Sequence, residues 1–118
     1  MAQAEVQAAL DALMAEEGAV GYVLVNFDGI PVMKHPKNLP AVQYAALISD
    51  LVMKTKSTLK QLNQTDNEFV YLRMRTKQDT ELIVTDFITP GTSYEYILVC
   101  IQSCKFGKDD DEEGEEQA

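Results

Sequence analysis

Asp28 and Gly29 interrupt two apolar runs in VNFDGIPVMKH, residues 25–35, and are residue types that can grip a cation or a phosphate. A calcium loop would need several more oxygen ligands at fixed spacing, and none follow Gly29. Asp-Gly is instead a favoured dipeptide for two-residue hairpin turns, because both residues tolerate positive φ. The pair reads as the corner between two strands. Other candidate chemistry is thin. The sole histidine, His35, falls at the end of the second strand beside Pro36, a poor place for a general base. Ser49, Ser57 and Ser103 lack a nucleophile-elbow context, and Gly18 and Gly21 are too sparse to cradle a phosphate. Cys100 and Cys104, with three residues between them, match no common zinc spacing and read as free thiols, Cys100 packed in a strand. No carboxylates pair inside the apolar segments, so the convergent polar set that an enzyme needs is missing. No catalytic residue, metal or cofactor is expected.

Recognition chemistry is better represented. In EFVYLRMRT strict alternation puts Val70, Leu72 and Met74 on one face and Phe69, Tyr71, Arg73 and Arg75 on the other. Tyrosine and arginine often anchor interfaces. The plainer alternative makes Phe69 and Tyr71 core and leaves the arginines solvated. An exposed edge strand could also pair with a second edge, satisfying its outward backbone groups.

The elements that must position these residues follow from hydrophobic period and punctuation. Val6, Leu10, Leu13 and Met14 form a helical stripe, with Gly18 placed as a C-cap. VGYVLVNF reads as a strand buried on both faces, and IPVMKH as an edge strand because Pro31 cannot donate to a ladder. A long helix follows, with Pro40 in its first turn and Asn38 as a possible cap. Its main stripe is Tyr44, Ile48, Leu51, Val52, Thr55, Leu59 and Leu62. Val42, Ala46 and Met53 form a second apolar surface, which suggests a partner subunit. Strands at EFVYLRMRT, TELIVTDF and YEYILVCIQ complete the order helix-strand-strand-helix-strand-strand-strand. The expected class is α+β, an α/β/α sandwich around a five-stranded antiparallel sheet.

The 118 residues fit one domain, and the net charge of −9 is uneven. KDDDEEGEEQA holds seven acids, and without it the body carries about −3, so residues 105–118 read as a disordered acidic tail beyond a folded unit at 1–104. No basic stripe marks a nucleic-acid surface. No run approaches the roughly 18 apolar residues of a membrane span. The N-terminus lacks a basic secretory start, so an intracellular protein is expected.

Taken together, VGYVLVNFDGIPV, QYAALISDLVMKTKSTLKQL, FVYLRMRTKQDTELIV and YILVCIQ resemble the roadblock family of dynein light chains, over residues 3–103. That resemblance implies a profilin-like α/β/α fold. It also implies a dimer with another roadblock light chain, identical or paralogous, through the long helix and third strand. Tyr44, Ile48, Val52, Leu59, Val70, Leu72 and Met74 become candidates for core and dimer contacts. Val6 and Leu10 on the first helix, with Phe69, Tyr71, Arg73 and Arg75, become candidates for binding dynein intermediate chains. The long TDFITPGTSYE loop and the acidic tail depart from cytoplasmic members. They point to ciliary outer-arm dynein and to the cytoskeleton of a cilium or flagellar axoneme. The resemblance has a second implication, since similar folds serve as scaffolds or regulators of small GTPases.

Overall fold

The computed structural model describes residues 2–89, 91 and 93–104. The expected acidic tail lies outside the described residues. The elements are α1 (Ala2–Met14), β1 (Ala19–Asn26), β2 (Pro31–His35), α2 (Ala41–Leu62), β3 (Tyr71–Arg75), β4 (Thr80–Ile88) and β5 (Glu95–Ser103), in the expected order. The five strands form one sheet in the order β2-β1-β5-β4-β3, every neighbouring pair antiparallel. The fold is the roadblock/profilin-like α+β arrangement anticipated from the sequence.

Registry sorts the side chains. Val23 and Val25 of β1 lie opposite Val99 and Ile97 of β5, and Val99 lies opposite Val84 of β4. This face meets Ala41, Ala45, Ile48 and Val52 of α2, whose spacing of four, three and four residues makes one helical stripe. Val23, Val25, Val84 and Val99 have no exposed surface, and each burial contributes roughly 1.5–3 kcal/mol. On the opposite face Tyr22 and Leu24 are buried, and α1 packs along β1 with Leu10 buried beneath it.

The β1–β2 corner is a three-residue loop instead of the expected two-residue turn. Asn26 N–H donates to Ile30 O and Gly29 N–H to Asn26 O, while Gly29 takes φ +82°. This is a type I turn followed by a left-handed bulge residue. The Asn26 side chain holds it by accepting from the Asp28 and Ile30 amides, both at 3.0 Å. Gly18, also at positive φ, follows the end of α1 by several residues and opens β1, so it is not an adjacent C-cap. Asn38 does not cap α2. Pro40 occupies the N-cap with no side-chain hydrogen bond, and Asn63 ends the helix by accepting from the Thr65 and Asp66 amides. Gly21 is required for a different reason: a Cβ there would stand 2.3 Å from His35 O.

The expected long loop at 85–95 is shortened at both ends by strand. β4 runs to Ile88 and β5 starts at Glu95, Phe87 stacks on Tyr96 at 5.7 Å, and Thr89 N–H donates to Tyr94 O. Cross-strand aromatic packing accompanies pairing of the two strands out to Ile88 and Glu95.

Candidate interaction surface

β3 closes one edge of the sheet, pairing with β4 on one side. An edge strand presents outward backbone donors and acceptors to a second strand. Val70 and Tyr71, at its start, are 69% and 60% exposed. On α2, Val42 and Ala46 border β2, and the opposite flank carries Tyr44 and Leu51, half-buried, with Leu47 and Leu62 exposed. The exposed large apolar residues of this flank and of β3 are suited to contact another protein, and so are Val42 and Met53 of the second apolar surface, 74% and 68% exposed.

A second feature sits on the other face of β3. Arg75 pairs in register with Glu81 of β4, and Arg73 stands two residues earlier on the same face. The Glu81 side chain is 2% exposed, and a buried carboxylate is tolerated only with partners. Arg73 Nε lies 2.8 Å from its Oε2, and Arg75 reaches the same oxygen with Nε and Nη2, each at 3.3 Å. The Gln102 amide donates to Oε1, and the Cys104 thiol approaches Oε1 at 3.7 Å. The Arg73 hydrogen bond, opposed by burial and aided by Gln102, holds the Glu81 carboxyl well below the usual range, at about 2. In return Glu81 raises the Arg73 guanidinium above its ordinary value. The β3–β4 turn is fixed by Thr76 N–H donating to Thr80 O, with Asp79 in the left-handed region at φ +66°.

The sequence reading missed Glu81, having found no paired carboxylate in an apolar segment. The signal was present: two arginines alternate on one strand, and pairing across TKQDT brings Glu81 opposite the second. The other candidates separate. Ile48 and Val52 are 6% and 3% exposed and belong to the protomer's own core. Leu72 and Met74 pack half-buried against that core, Tyr44 does the same from α2, and Leu59 is half-buried. Val70 does not turn inward with Leu72 and Met74, because β3 begins only at Tyr71 and alternation does not extend back to it. For the same reason Phe69 is not on the arginine face. It packs against the α2 core with the Lys56 ammonium 6.0 Å from its ring, and Lys56 pairs with Asp86. Leu10 is buried, and Val6 lines a cleft between α1 and the sheet with Leu24, Phe87 and Tyr96. Tyr71, Arg73 and Arg75 remain together on an exposed face. Among the described residues no cluster of His, Cys, Asp or Glu could hold a metal, and no helix is long and apolar enough to cross a membrane.

A two-helix cover on a five-stranded antiparallel sheet with a free third-strand edge defines a roadblock domain. The Roadblock/LC7 domain model matches residues 5–100, and the chain belongs to that family, whose members are typically non-catalytic scaffolds and regulators. Its structure is similar to MglB of Myxococcus xanthus, at 20% identity and TM-score 0.69, over 86% of this chain and 77% of that one. It is similar to the gliding protein MglB of Thermus thermophilus, at 18% identity and TM-score 0.69, over 86% and 73%. A Roadblock/LC7 domain from Streptomyces avermitilis matches at 20% identity and TM-score 0.62, over 80% and 74%. These findings correct the expectation of a dynein light chain. The solved structures it resembles include bacterial MglB proteins and a bacterial roadblock domain, so dynein intermediate chains, the motor complex and a ciliary axoneme are withdrawn as partners and place. The physical reason is that the matching motifs encode a turn, a helix stripe and an edge strand. They specify the fold shared across the family, and a shared fold does not by itself specify a partner.

Proposed function

We propose that the chain is a non-catalytic scaffold or regulator of small GTPases, acting in the cytoplasm as a roadblock-type dimer. The observation that carries this reading is its likeness to bacterial MglB over 86% of the chain. Residues 1–104 form the domain, and the dimer joins β3 edges into one continuous sheet. Tyr44, Leu59 and Val70, supplemented by Leu47 and Leu62, supply apolar contacts on the α2 and β3 side. Leu72 and Met74 support that edge from the core.

The test uses the purified chain with a panel of small GTPases loaded with GDP or a GTP analogue. Nucleotide-dependent complex formation, together with a changed rate of GTP hydrolysis or exchange, is the expected result. Failure to bind any panel member in either nucleotide state overturns the regulator reading. The dimer is tested separately by light scattering of Val70→Asp: this exposed position leaves the core intact, so a folded monomer is expected, and a persistent dimer overturns the assigned edge.

A further inference from the structure

The flank of α2 that borders β2 carries a stripe the fold leaves uncovered. Val42, Ala46, Ser49, Met53 and Lys56 recur at spacings of four, three, four and three residues, the repeat of a helix-packing seam. The stripe runs for roughly 21 Å at 1.5 Å per residue. Two depressions of about 700 and 190 Å³ lie in series against it, one beside residues 41–46 and one beside residues 49–56. β2 walls the first with Val32, and the β1–β2 corner closes the second with Phe27. Val42, Met53, Val32 and Phe27 are all exposed, so apolar surface lines both sides of one groove. Ala46 and Ser49 at its middle are small enough to let a second helix come close.

The two ends of the groove differ in charge. Lys34 borders it where α2 begins, and Lys37 lies exposed in the loop before the helix. α2 starts there without a side-chain cap, so its first amides add partial positive charge. At the other end Glu95 borders the groove, and Asp28 is exposed in the adjoining turn. Among the described residues none of these four forms an ion pair, whereas Lys56 and Asp86 neutralise each other. We propose that the groove receives one amphipathic helix of another protein, with an apolar seam, acidic residues over Lys34 and Lys37, and basic residues over Glu95 and Asp28. The seam repeat selects a helix as the occupant, and Pro31, which lacks an N–H, leaves β2 a poor edge for an added strand. Opposite charges at the two ends disfavour a partner of one sign, a lipid headgroup layer included. A second copy fits less well, because the stripe is concave on every copy and two grooves leave each other unfilled.

The experiment titrates the full chain with three synthetic helical peptides of about 18 residues, long enough to span the groove, that share leucine at the a and d positions. One carries glutamate at one end and lysine at the other, the second glutamate at both ends, and the third lysine at both. Backbone and methyl resonances locate the site. Saturable shifts are expected at Val42, Ala46, Met53, Val32 and Phe27. The mixed-charge peptide should bind roughly two- to fivefold tighter than either uniform one, a margin that disappears by about 500 mM salt. Ala46→Glu, at an exposed position that leaves the core intact, puts a charge under the seam and should weaken all three by about tenfold or more. Glu95→Lys should abolish the margin over the doubly acidic peptide. Shifts centred on Tyr44, Leu47 and Leu51, equal affinities for the three peptides, full binding by Ala46→Glu, or no saturable binding would each overturn the proposal. So would concentration-dependent shifts at the same residues without peptide, which would assign the groove to a second copy. No GTPase enters the assay, so its outcome is separate from that of the nucleotide-dependent binding test.

Discussion

Under α2 the sheet meets a 22-residue helix and is sealed by apolar side chains, mostly aliphatic, whereas its opposite face has a 13-residue helix that packs along β1. Towards β3 that opposite face is closed by arginine stems folded over a buried Glu81. The two solutions respond to different variables. Aliphatic burial is non-directional and indifferent to pH, while a buried carboxylate requires its partners and its charge. One sheet therefore has a face held by apolar burial throughout and a face that combines apolar burial under α1 with charge held in a fixed geometry near β3.

The largest break in this comparison should come from putting charge on the aliphatic side. Val99 has no exposed surface in the central strand β5, and Val99→Asp would bury an unpaired carboxylate among Val23, Val84 and α2. A loss above about 4–5 kcal/mol is expected, enough to abolish the folded state, and circular dichroism reads it directly. A native spectrum with an unchanged melting temperature would mean that the face is not dry. Next comes Ile48→Ala, expected to cost about 2–5 kcal/mol by removing buried methyl groups and leaving a cavity. Denaturant titration should give the same loss at pH 7 and at pH 3, since no titrating group touches the change.

Glu81→Gln should have the smallest effect and alone should depend on pH. The folded carboxyl sits at about 2 against an ordinary 4.5, so its contribution is fully present above 4.5 and is lost as pH falls through 2. The melting temperature of the variant should thus lie below that of the parent at pH 7 and converge with it as pH is lowered across that window. Parallel curves from pH 7 to pH 2 would show that the arginine pair does not hold Glu81 ionised.

Hydrophobic period made the element order legible, because each strand and helix must match its own repeat to bury a face. The α2 stripe illustrates it: Ile48 and Val52 were visible as inward residues from spacing alone. Boundaries were less visible. Alternation was carried two residues too far, to Phe69 and Val70, because the sequence does not mark where pairing with β4 starts. The β1–β2 corner was read from Asp28-Gly29, whereas the Asn26 side chain and the bulge at Gly29 set its length. At the surface, Arg73 and Arg75 stood out by type, but their buried partner did not.

The sequence by itself determined the class of fold, the order of its elements and its membership of a domain family, since local period and turn chemistry act over a few residues and need no partner. Only the tertiary structure decided that Leu10 is interior, that Phe69 turns towards α2, and that Arg73, Arg75, Gln102 and Cys104 converge on Glu81. Those outcomes depend on strand register and on which helix covers which strand, quantities fixed by contacts between residues far apart in the chain.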